Sequence, residues 1–168
     1  VRFGASDPGA EQLVASIAPS GTWEDWCACV REVRAYPLVM LAIWTSLSAP
    51  LLGILNEAPN AIVDWSGDSS NGKTSALRLG ASCWGQADEK RGPMIASWSS
   101  SPSKIEGIAS TSHHIPVFLD DTKENKSKNK EEVAHVQYQF AHGQGRGRAH
   151  AGGGTRPPAT RRSVLLSP

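Results

Sequence analysis

The stretch GDSSNGKTS, residues 67–75, carries the clearest chemical signature in the sequence. Its spacing of glycines, lysine and a hydroxyl residue is typical of a loop that wraps a phosphate with backbone N–H groups, followed by a helix whose N-terminus faces the same anion. In such a loop Lys73 reaches the β- and γ-phosphates, and the Thr74 hydroxyl binds Mg²⁺. The alternative is a Gly/Ser turn that joins a strand to a helix. The sequence predicts a site for ATP and Mg²⁺ in which these residues contact the nucleotide: Gly67, Asp68, Ser69, Ser70, Asn71, Gly72, Lys73, Thr74 and Ser75.

Two carboxylates, Asp120 and Asp121, end the apolar run PVFLDD. An ATPase with a phosphate loop needs a carboxylate on a neighbouring strand to hold the metal ion, and a base that orients the attacking water. Asp120 is therefore the candidate Mg²⁺ ligand beside Thr74, and Asp121 is the candidate base. Asp121 has a second interpretation, as a turn residue that caps the next segment. Lys73 and Asp121 are the predicted catalytic residues.

Three residues near the end of the sequence also have side chains that an ATPase uses. Ser167 follows the apolar run SVLL and is a candidate sensor of the γ-phosphate or the attacking water. Arg146 and Arg148, in GQGRGR, suit either a finger on a neighbouring subunit's γ-phosphate or contacts with nucleic-acid phosphates, and a flexible basic loop without a function is the alternative. From His142 onward there are five arginines and no carboxylate, which favours an anionic partner or a solvated basic tail.

Short apolar runs bounded by turn residues predict the strands that must position these side chains. They cover residues 61–65, 94–98, 115–121 and 163–166. Capping signals at Thr22 and Ser101 predict helices over residues 23–36 and from Pro102 to residue 110. Three more helices are predicted from apolar periodicity: a buried one over 37–57 that is kinked or broken before Pro50, one that begins at Lys73, and one over 131–143. The remaining Gly/Arg-rich segment, 143–162, is expected to be mostly irregular.

Strands that alternate with helices predict an α/β fold: a three-layer P-loop NTPase with a mainly parallel sheet, preceded by a helical N-terminal segment. Residues 1–58 are expected to form that segment and to pack on the core. Residues 59–168 are expected to form the NTPase core, truncated at its C-terminus. Both ends have the character of cuts from a longer protein.

Composition limits the class of protein. The formal net charge of +1 identifies no partner by itself, and 39% hydrophobic residues indicates a globular domain. Three cysteines without a C-x-x-C pair indicate reduced thiols in a cytoplasmic protein, not a disulfide framework or a zinc site. The uncharged stretch 38–55 is about long enough to span a bilayer. Its Thr, Ser, Pro and Gly residues and its lack of flanking Lys/Arg anchors favour a core helix, so no membrane partner is expected.

Four blocks of the sequence together resemble the domain of unknown function 927 family: WSGDSSNGKTSALRLGASCWG, SWSSSPSKIEGIA, PVFLDD and AHGQGRGRA. Members of this family are helicase-like P-loop ATPases, commonly encoded in phages and mobile elements and often beside primase modules. The resemblance runs from about Gly21 to the end of the sequence and implies a RecA/AAA+-like core. It implies that Gly67, Gly72, Lys73 and Thr74 form the nucleotide site, that Asp120 holds Mg²⁺, and that a homo-oligomeric ring acts on DNA.

The sequence departs from this family at two places. The family usually has Asp-Glu where this chain has Asp120-Asp121, and the shorter carboxylate would place the base farther from the water. The family also continues past the last strand with a Ser-Thr-Gly-Glu-like segment, where this sequence has Ser167-Pro168. Three functions stay open: an ATPase coupled to DNA translocation, a nucleotide-binding switch or assembly module that hydrolyses poorly, and a small-molecule kinase in which residues 143–162 imitate a lid.

Overall fold

A computed structural model describes residues 8–55, 58–68, 71–88, 94–120, 130–143, 148–149, 155–156 and 160–168. The helices within these ranges are α1 (Pro8–Ser16), α2 (Trp23–Val33), α3 (Pro37–Ser48), α4 (Leu51–Ile54), α5 (Lys73–Ser82), α6 (Pro102–Thr111) and α7 (Lys130–Ala141). The strands are β1 (Ala61–Asp64), β2 (Ile95–Ser97), β3 (Val117–Asp120), β4 (Arg148–Ala149), β5 (Thr155–Arg156) and β6 (Val164–Ser167).

Four strands form a parallel sheet in the order β1-β6-β3-β2. The strand β6 lies between β1 and β3, so the strand before the phosphate loop and the strand that ends at Asp120 pair with β6 and not with each other. All residues of β3 and β6 are buried. Apart from their last residues both strands are apolar on both faces, as expected for central strands covered by helices on either side. The predicted α/β fold with a mainly parallel sheet is confirmed.

The core consists of two hydrophobic clusters, one on each face of the sheet. On one face, which we call the α5 face, Phe118 and Leu166 pack with Ala76 and Leu77 of α5. The other face, which we call the α6 face, has a cluster built from the alternate strand residues and from side chains of α6 and α7: Val117, Leu119, Leu165, Ile105, Ala109 and Phe140. Because successive residues of a strand point to opposite faces, the register decides which helix layer each side chain meets.

Two helices begin at the caps that the sequence predicts. Thr22 Oγ1 accepts a hydrogen bond from the Asp25 backbone N–H at 3.1 Å and donates to the Asp25 carboxylate at 2.7 Å. Ser101 accepts from the Lys104 backbone N–H at 3.3 Å, and Pro102 occupies the first helical position. Both capping predictions are confirmed, whereas α1 was not among the predicted helices. The proposed division of the chain at residue 58 stays a prediction.

The apolar helix of residues 37–57 is broken at Pro50 as predicted, but it is not a buried helix. Ala42, Ile43 and Ser46 are buried on the side toward α5. The opposite side carries large exposed apolar side chains: Leu41, Trp44, Leu47, Leu51, Ile54 and Leu55. The prediction of burial is therefore wrong for this side, because apolar composition does not reveal whether a neighbouring element covers a surface. By length and composition Pro37–Ile54 is apolar enough to cross a membrane, and 28% of that stretch is buried within the protein.

Two of the five C-terminal arginines have structural roles. Arg161 is buried, and its guanidinium lies 5.9 Å from the centre of the Phe140 ring. Arg162 donates from Nη1 to the carbonyls of Leu52 and Leu55, at 3.0 and 3.1 Å, at the C-terminal end of α4. A cation at this end of a helix satisfies free carbonyls and complements the helix dipole. This part of the arginine excess therefore stabilises the fold and does not indicate an anionic partner.

The segment 143–162, expected to be mostly irregular, contains a two-stranded antiparallel ribbon of β4 and β5. Arg148 pairs in register with Arg156, and Ala149 pairs with Thr155. Each strand of this ribbon has only two residues, which is too short for an alternating pattern to be recognised in the sequence.

Candidate nucleotide-binding site

The predicted phosphate loop joins the end of β1 to the start of α5. Beyond Asp64, Trp65 continues the strand ladder by donating its backbone N–H to the Ser167 carbonyl at 3.0 Å, and its side chain is buried in the α5-face cluster. Gly72 precedes the helix with a φ of 76°, a left-handed conformation that is costly for residues with a Cβ. A strand precedes the loop and a helix follows it, as the phosphate-loop interpretation requires.

Helix α5 presents its N-terminus to this loop. The Gly72 carbonyl accepts the first helical hydrogen bond, from the Ala76 N–H at 2.9 Å. The backbone N–H groups of Lys73, Thr74 and Ser75 therefore fall in the first turn, where a helix has no internal acceptors for them. These N–H groups and the positive end of the helix dipole favour an anion at this position.

The position of α5 is fixed by close packing along its buried side. Ala76 and Leu77 have no exposed surface. Gly80 lies directly against α3, because a Cβ at this residue would come within 3.0 Å of the Ala42 carbonyl oxygen. Ser46 Oγ of α3 also donates a hydrogen bond to the Gly80 carbonyl at 2.7 Å. The N-terminus of α5 is consequently held at a defined place at the edge of the sheet.

The Lys73 side chain crosses the loop. Its Nζ donates hydrogen bonds to the carbonyls of Gly67, at 3.0 Å, and of Asp68. The ammonium group thus lies against the first residues of the loop, and the motif predicts that it contacts the β- and γ-phosphates. A phosphate oxygen is a charged acceptor, and charge-assisted hydrogen bonds are stronger than those to neutral carbonyls. The geometry therefore suits an exchange of loop carbonyls for phosphate oxygens around Nζ.

Asp120 lies at the carboxyl end of β3 and is 9% exposed. Its register partner is Ser97 at the end of β2. Phe118, two residues earlier, belongs to the α5 face, so the alternation of the strand places Asp120 on the face from which α5 and the loop approach. Carboxylate and hydroxyl oxygens are ligands that Mg²⁺ prefers, and Mg²⁺ is commonly bound through one or two carboxylates together with substrate phosphates. The donor set of Asp120 and Thr74 fits this ion.

Ser167 lies at the carboxyl end of β6, in register with Asp64, but on the opposite face from Asp120. Leu165, two residues earlier, belongs to the α6 face. The Ser167 side chain is 1% exposed, and its Oγ accepts a hydrogen bond from Trp98 Nε1 at 2.9 Å. This bond ties β6 to the residue that follows β2. It gives the hydroxyl a structural role, and the role of Ser167 as a γ-phosphate sensor stays a prediction.

Several predicted site residues lie outside the described residues: Ser69, Ser70, Asp121 and Arg146. Asp68 and Asn71 of the loop are exposed, and Arg148 lies in β4. The structure thus places the ends of the loop and the first turn of α5 at the same edge of the sheet as Asp120. The role of Asp121 as the base stays a prediction.

A cavity of about 740 Å³ lies beside β2, at the other end of the strand order from the phosphate loop. Ser97, the register partner of Asp120, lines it together with Gln12, Ser100 and Lys104. The walls come from α1, from the residues after β2 and from α6. Because α1 is distant in the sequence from β2 and α6, no local pattern signals the cavity.

The chain is similar to one protein family and to a solved structure. The sequence profile of the family described as Domain of unknown function (DUF927) matches residues 8–160. A solved structure titled "SCCmec type IV Cch - active helicase" matches with a TM-score of 0.71 and 24% sequence identity, over 90% of this chain and 27% of that chain. No curated protein sequence matches significantly. Because the family profile covers nearly the whole chain, this protein belongs to the DUF927 family.

Proposed function

We propose that this chain binds ATP with Mg²⁺ and hydrolyses it, as the nucleotide-binding part of a helicase-like enzyme that acts on DNA as a homo-oligomeric ring. One observation carries the nucleotide part of the proposal. A loop that ends in a left-handed glycine, a lysine bonded to the first carbonyls of that loop and a buried carboxylate lie at the same edge of the sheet. The fold similarity to a protein titled an active helicase supports the DNA part by analogy.

Each residue has a separate task in this proposal. The loop and the first turn of α5 hold the phosphates with backbone N–H groups, and Lys73 pairs with the β- and γ-phosphates, where negative charge develops as the phosphoryl group is transferred. Thr74 and Asp120 would hold Mg²⁺, and a bound Mg²⁺ would supply positive charge next to the phosphates. Asp121 orients the attacking water as the base.

The substitution Lys73→Ala tests the site. We expect the affinity for a fluorescent ATP analogue to fall by at least about a hundredfold, or about 2.7 kcal/mol, because charge-assisted hydrogen bonds to the phosphates are lost. Lys104→Ala removes another exposed helix lysine, beside β2, and is the matched control that should bind normally. Equal affinity of the Lys73→Ala variant and the unchanged protein would refute the phosphate-loop assignment.

The proposed nucleic-acid contact lies at the β4–β5 ribbon. Its backbone pairing brings Arg148 opposite Arg156, and Arg146 is two residues earlier in the sequence. Clustered arginines attract the phosphate backbone of nucleic acids. Steady-state phosphate release, measured with and without single-stranded DNA, tests the coupling. We expect DNA to stimulate release and Arg148→Gln to reduce that stimulation, while an identical rate with and without DNA would contradict the coupling.

A second function, a nucleotide-binding switch with slow hydrolysis, is favoured by one feature of the sequence. Asp121 is one methylene shorter than the glutamate found in the family at this position, so the base would sit farther from the water. Under this alternative the chain binds ATP normally, and Asp121→Glu raises its turnover. A lower turnover in the Asp121→Glu variant would mean that Asp121 has another role.

A further inference from the structure

One side of α3 and α4 carries a continuous row of exposed apolar side chains, which we call the apolar stripe. Its members and their exposed fractions are Leu41 (45%), Trp44 (65%), Leu47 (47%), Leu51 (50%), Ile54 (75%) and Leu55 (56%). They recur mainly at intervals of three and four residues, which places them on one side of a helix. The stripe is about 21 Å long at 1.5 Å per residue. Contiguous apolar patches of several hundred Å² on a protein surface mark interaction sites.

The apolar stripe is a fixed surface. Behind it, Ser46 Oγ donates to the Gly80 carbonyl and accepts a hydrogen bond from Trp84 Nε1 at 2.8 Å, which holds α3 on α5. The break between α3 and α4 is only two residues long, and because Ala49 and Pro50 both have helical dihedral angles, the exposed row resumes on the same side in α4. The guanidinium of Arg162 caps the end of α4. The stripe is therefore presented in one defined conformation to whatever covers it.

We propose that the apolar stripe binds the same stripe of a second copy of this chain, as an antiparallel pair of helices. Residues 37–55 contain no Asp, Glu, Lys, Arg or His, so two copies meet without like-charge repulsion. A surface without charges also lacks the groups that usually select a different, complementary partner. Side chains spaced three and four apart interdigitate when helices pack. A two-fold contact uses the same patch on both chains and closes with two copies.

The size of the stripe fits a weak but specific dimer. Its six side chains, roughly half exposed or more, offer on the order of 500 Å² of apolar surface per chain, since a Leu or Ile side chain has about 130 Å² to bury and Trp44 has more. Pairing two stripes then buries about 1,000 Å² in total, at the lower limit for specific interfaces. We therefore expect a dimer with micromolar affinity, with Trp44 as the residue of largest contact area.

A lipid surface is the competing occupant, because Pro37–Ile54 is long and apolar enough to cross a bilayer. Three observations favour a protein surface. The side opposite the stripe is packed on α5 and has no charged face toward water, unlike a helix that lies on a membrane. Trp44 lies inside the stripe and not at its ends, where aromatic residues anchor a membrane span. Residues 37–55 contain no Lys or Arg to meet anionic headgroups, and the Arg162 guanidinium at the end of α4 is bonded to the Leu52 and Leu55 carbonyls.

The apolar stripe lies away from the phosphate loop. The middle of α3 contacts α5 at Gly80, in the second half of that helix. At α4, Gly53 lies against the ring of His114, since a Cβ there would come within 3.0 Å of His114 Cε1, and His114 precedes the amino end of β3. A second copy on the stripe leaves the loop open. The inference therefore does not depend on the proposed function.

Sedimentation velocity of the 168-residue chain, from about 1 to 100 µM, tests the proposal over the range of affinity expected for such an interface. We expect a reversible monomer–dimer equilibrium. Leu47→Lys, near the centre of the stripe, should weaken the dimer at least tenfold, because two ammonium groups would meet near the two-fold axis. Trp44→Ser should weaken it without adding charge. Tyr138→Lys, at an exposed aromatic residue of α7, is the matched control and should leave the dimer unchanged.

Three results would overturn the proposal: a monomer at every concentration, aggregates without a defined stoichiometry, or a dimer that survives both stripe substitutions. Co-sedimentation with phosphatidylcholine–phosphatidylserine vesicles, lost in the Leu47→Lys variant and without a protein dimer, would overturn it in favour of a lipid surface. Binding of the fluorescent ATP analogue and thermal unfolding of each variant show whether the fold is intact. Because ATP binding is measured separately from dimerisation, the dimer proposal and the phosphate-loop proposal can be refuted independently of each other.

Discussion

The two ends of the parallel sheet both carry polar side chains, but the bonds of these side chains differ. At the carboxyl end, Lys73 bonds to carbonyls of its own exposed loop, and Asp120 lies where strand and loop meet. At the amino end, Asn60 and Arg162 bond to the main chain of segments that are distant in the sequence. The Lys73 bonds are ones that the proposed phosphate ligand would replace, whereas Ser167, at the same end, is bonded to Trp98 within the fold. At the amino end, the hydrogen bonds of Asn60 and Arg162 connect segments of the fold to one another.

Asn60 is the centre of the amino end. Its Nδ2 donates to the carbonyls of Phe140, at 2.8 Å, and Arg161, at 3.2 Å, and its Oδ1 accepts from the Ser163 N–H at 3.1 Å. Ser163 Oγ in turn donates to the Ile115 carbonyl. These bonds join the segments before β1, β3 and β6 to the end of α7. The amino end is therefore a structural joint.

Strand direction decides between these two uses of polar residues. In a parallel sheet the carboxyl ends of the strands and the N-termini of the helices that follow them lie at the same edge. The N–H groups and helix dipoles at that edge favour anions, and no such field exists at the amino end. Residue type alone therefore does not identify a site. The same Asn or Arg is a ligand-binding candidate at one edge and a structural residue at the other.

Among the substitutions that test this contrast, Asn60→Ala is expected to have the largest effect. Removing the side chain leaves partly buried carbonyls and an N–H without their partner, so the free energy of unfolding should fall by about 3 kcal/mol. Urea denaturation monitored by circular dichroism measures the change. Asn71→Ala, at the exposed carboxyl end, is the matched control and should alter stability by less than about 0.5 kcal/mol. Equal destabilisation by the two substitutions would break the contrast between the ends.

Asp120→Asn, at the carboxyl end, is expected to change ligand binding, whereas Asn60→Ala changes stability. The amide keeps the size of the side chain but loses the charge that attracts Mg²⁺, so the gain in ATP affinity on adding Mg²⁺ should fall at least about tenfold, or about 1.4 kcal/mol. Titrations of the fluorescent analogue with Mg²⁺ and with EDTA measure that gain. Affinity in EDTA should be unchanged. A variant that keeps the full Mg²⁺-dependent gain would remove Asp120 from the proposed site.

The smallest expected effect is a pH dependence at the amino end. Burial, and then the positive charges of His114 and Arg162, lower the pKa of His113 below its ordinary value of 6.5. As the pH falls through 6.5 the unfolded chain takes up a proton before the folded chain does, so stability decreases until the lower, folded pKa is passed. His113→Gln should flatten part of this slope in thermal unfolding between about pH 5 and 7.5. An unchanged slope would show that His113 does not contribute to it.

Much of the architecture was predictable because its signals are local. Each strand of the parallel sheet is an apolar run bounded by turn residues, and the caps at Thr22 and Ser101 are complete within four residues. The phosphate-loop assignment rests on the same kind of local signal and stays a prediction, since its spacing and its left-handed Gly72 are encoded in consecutive residues. These elements can be predicted without knowing the order of the strands in the sheet.

The remaining features depend on contacts between distant segments. The role of Asn60 rests on hydrogen bonds to residues 80 and 101 positions away. The burial of Ser167 depends on the face to which the pleat turns its side chain, which cannot be known before the register of β6 is known. The exposure of the apolar stripe depends on which side of α3 packs against α5, because the opposite side is then left uncovered. No local pattern in the sequence contains this information.

The central position of β6 imposes an order on assembly. This strand comes last in the sequence of the six, yet it is the only link in the sheet between β1 and β3 within the part of the chain that the structure describes. During synthesis β2 and β3 can pair early, whereas β1 has no partner in the sheet until β6 leaves the ribosome. Such long-range pairings form late, because the entropy of a large loop must first be lost. Among the described strands, the pairing of β1 with the sheet therefore waits until β6 has been synthesised.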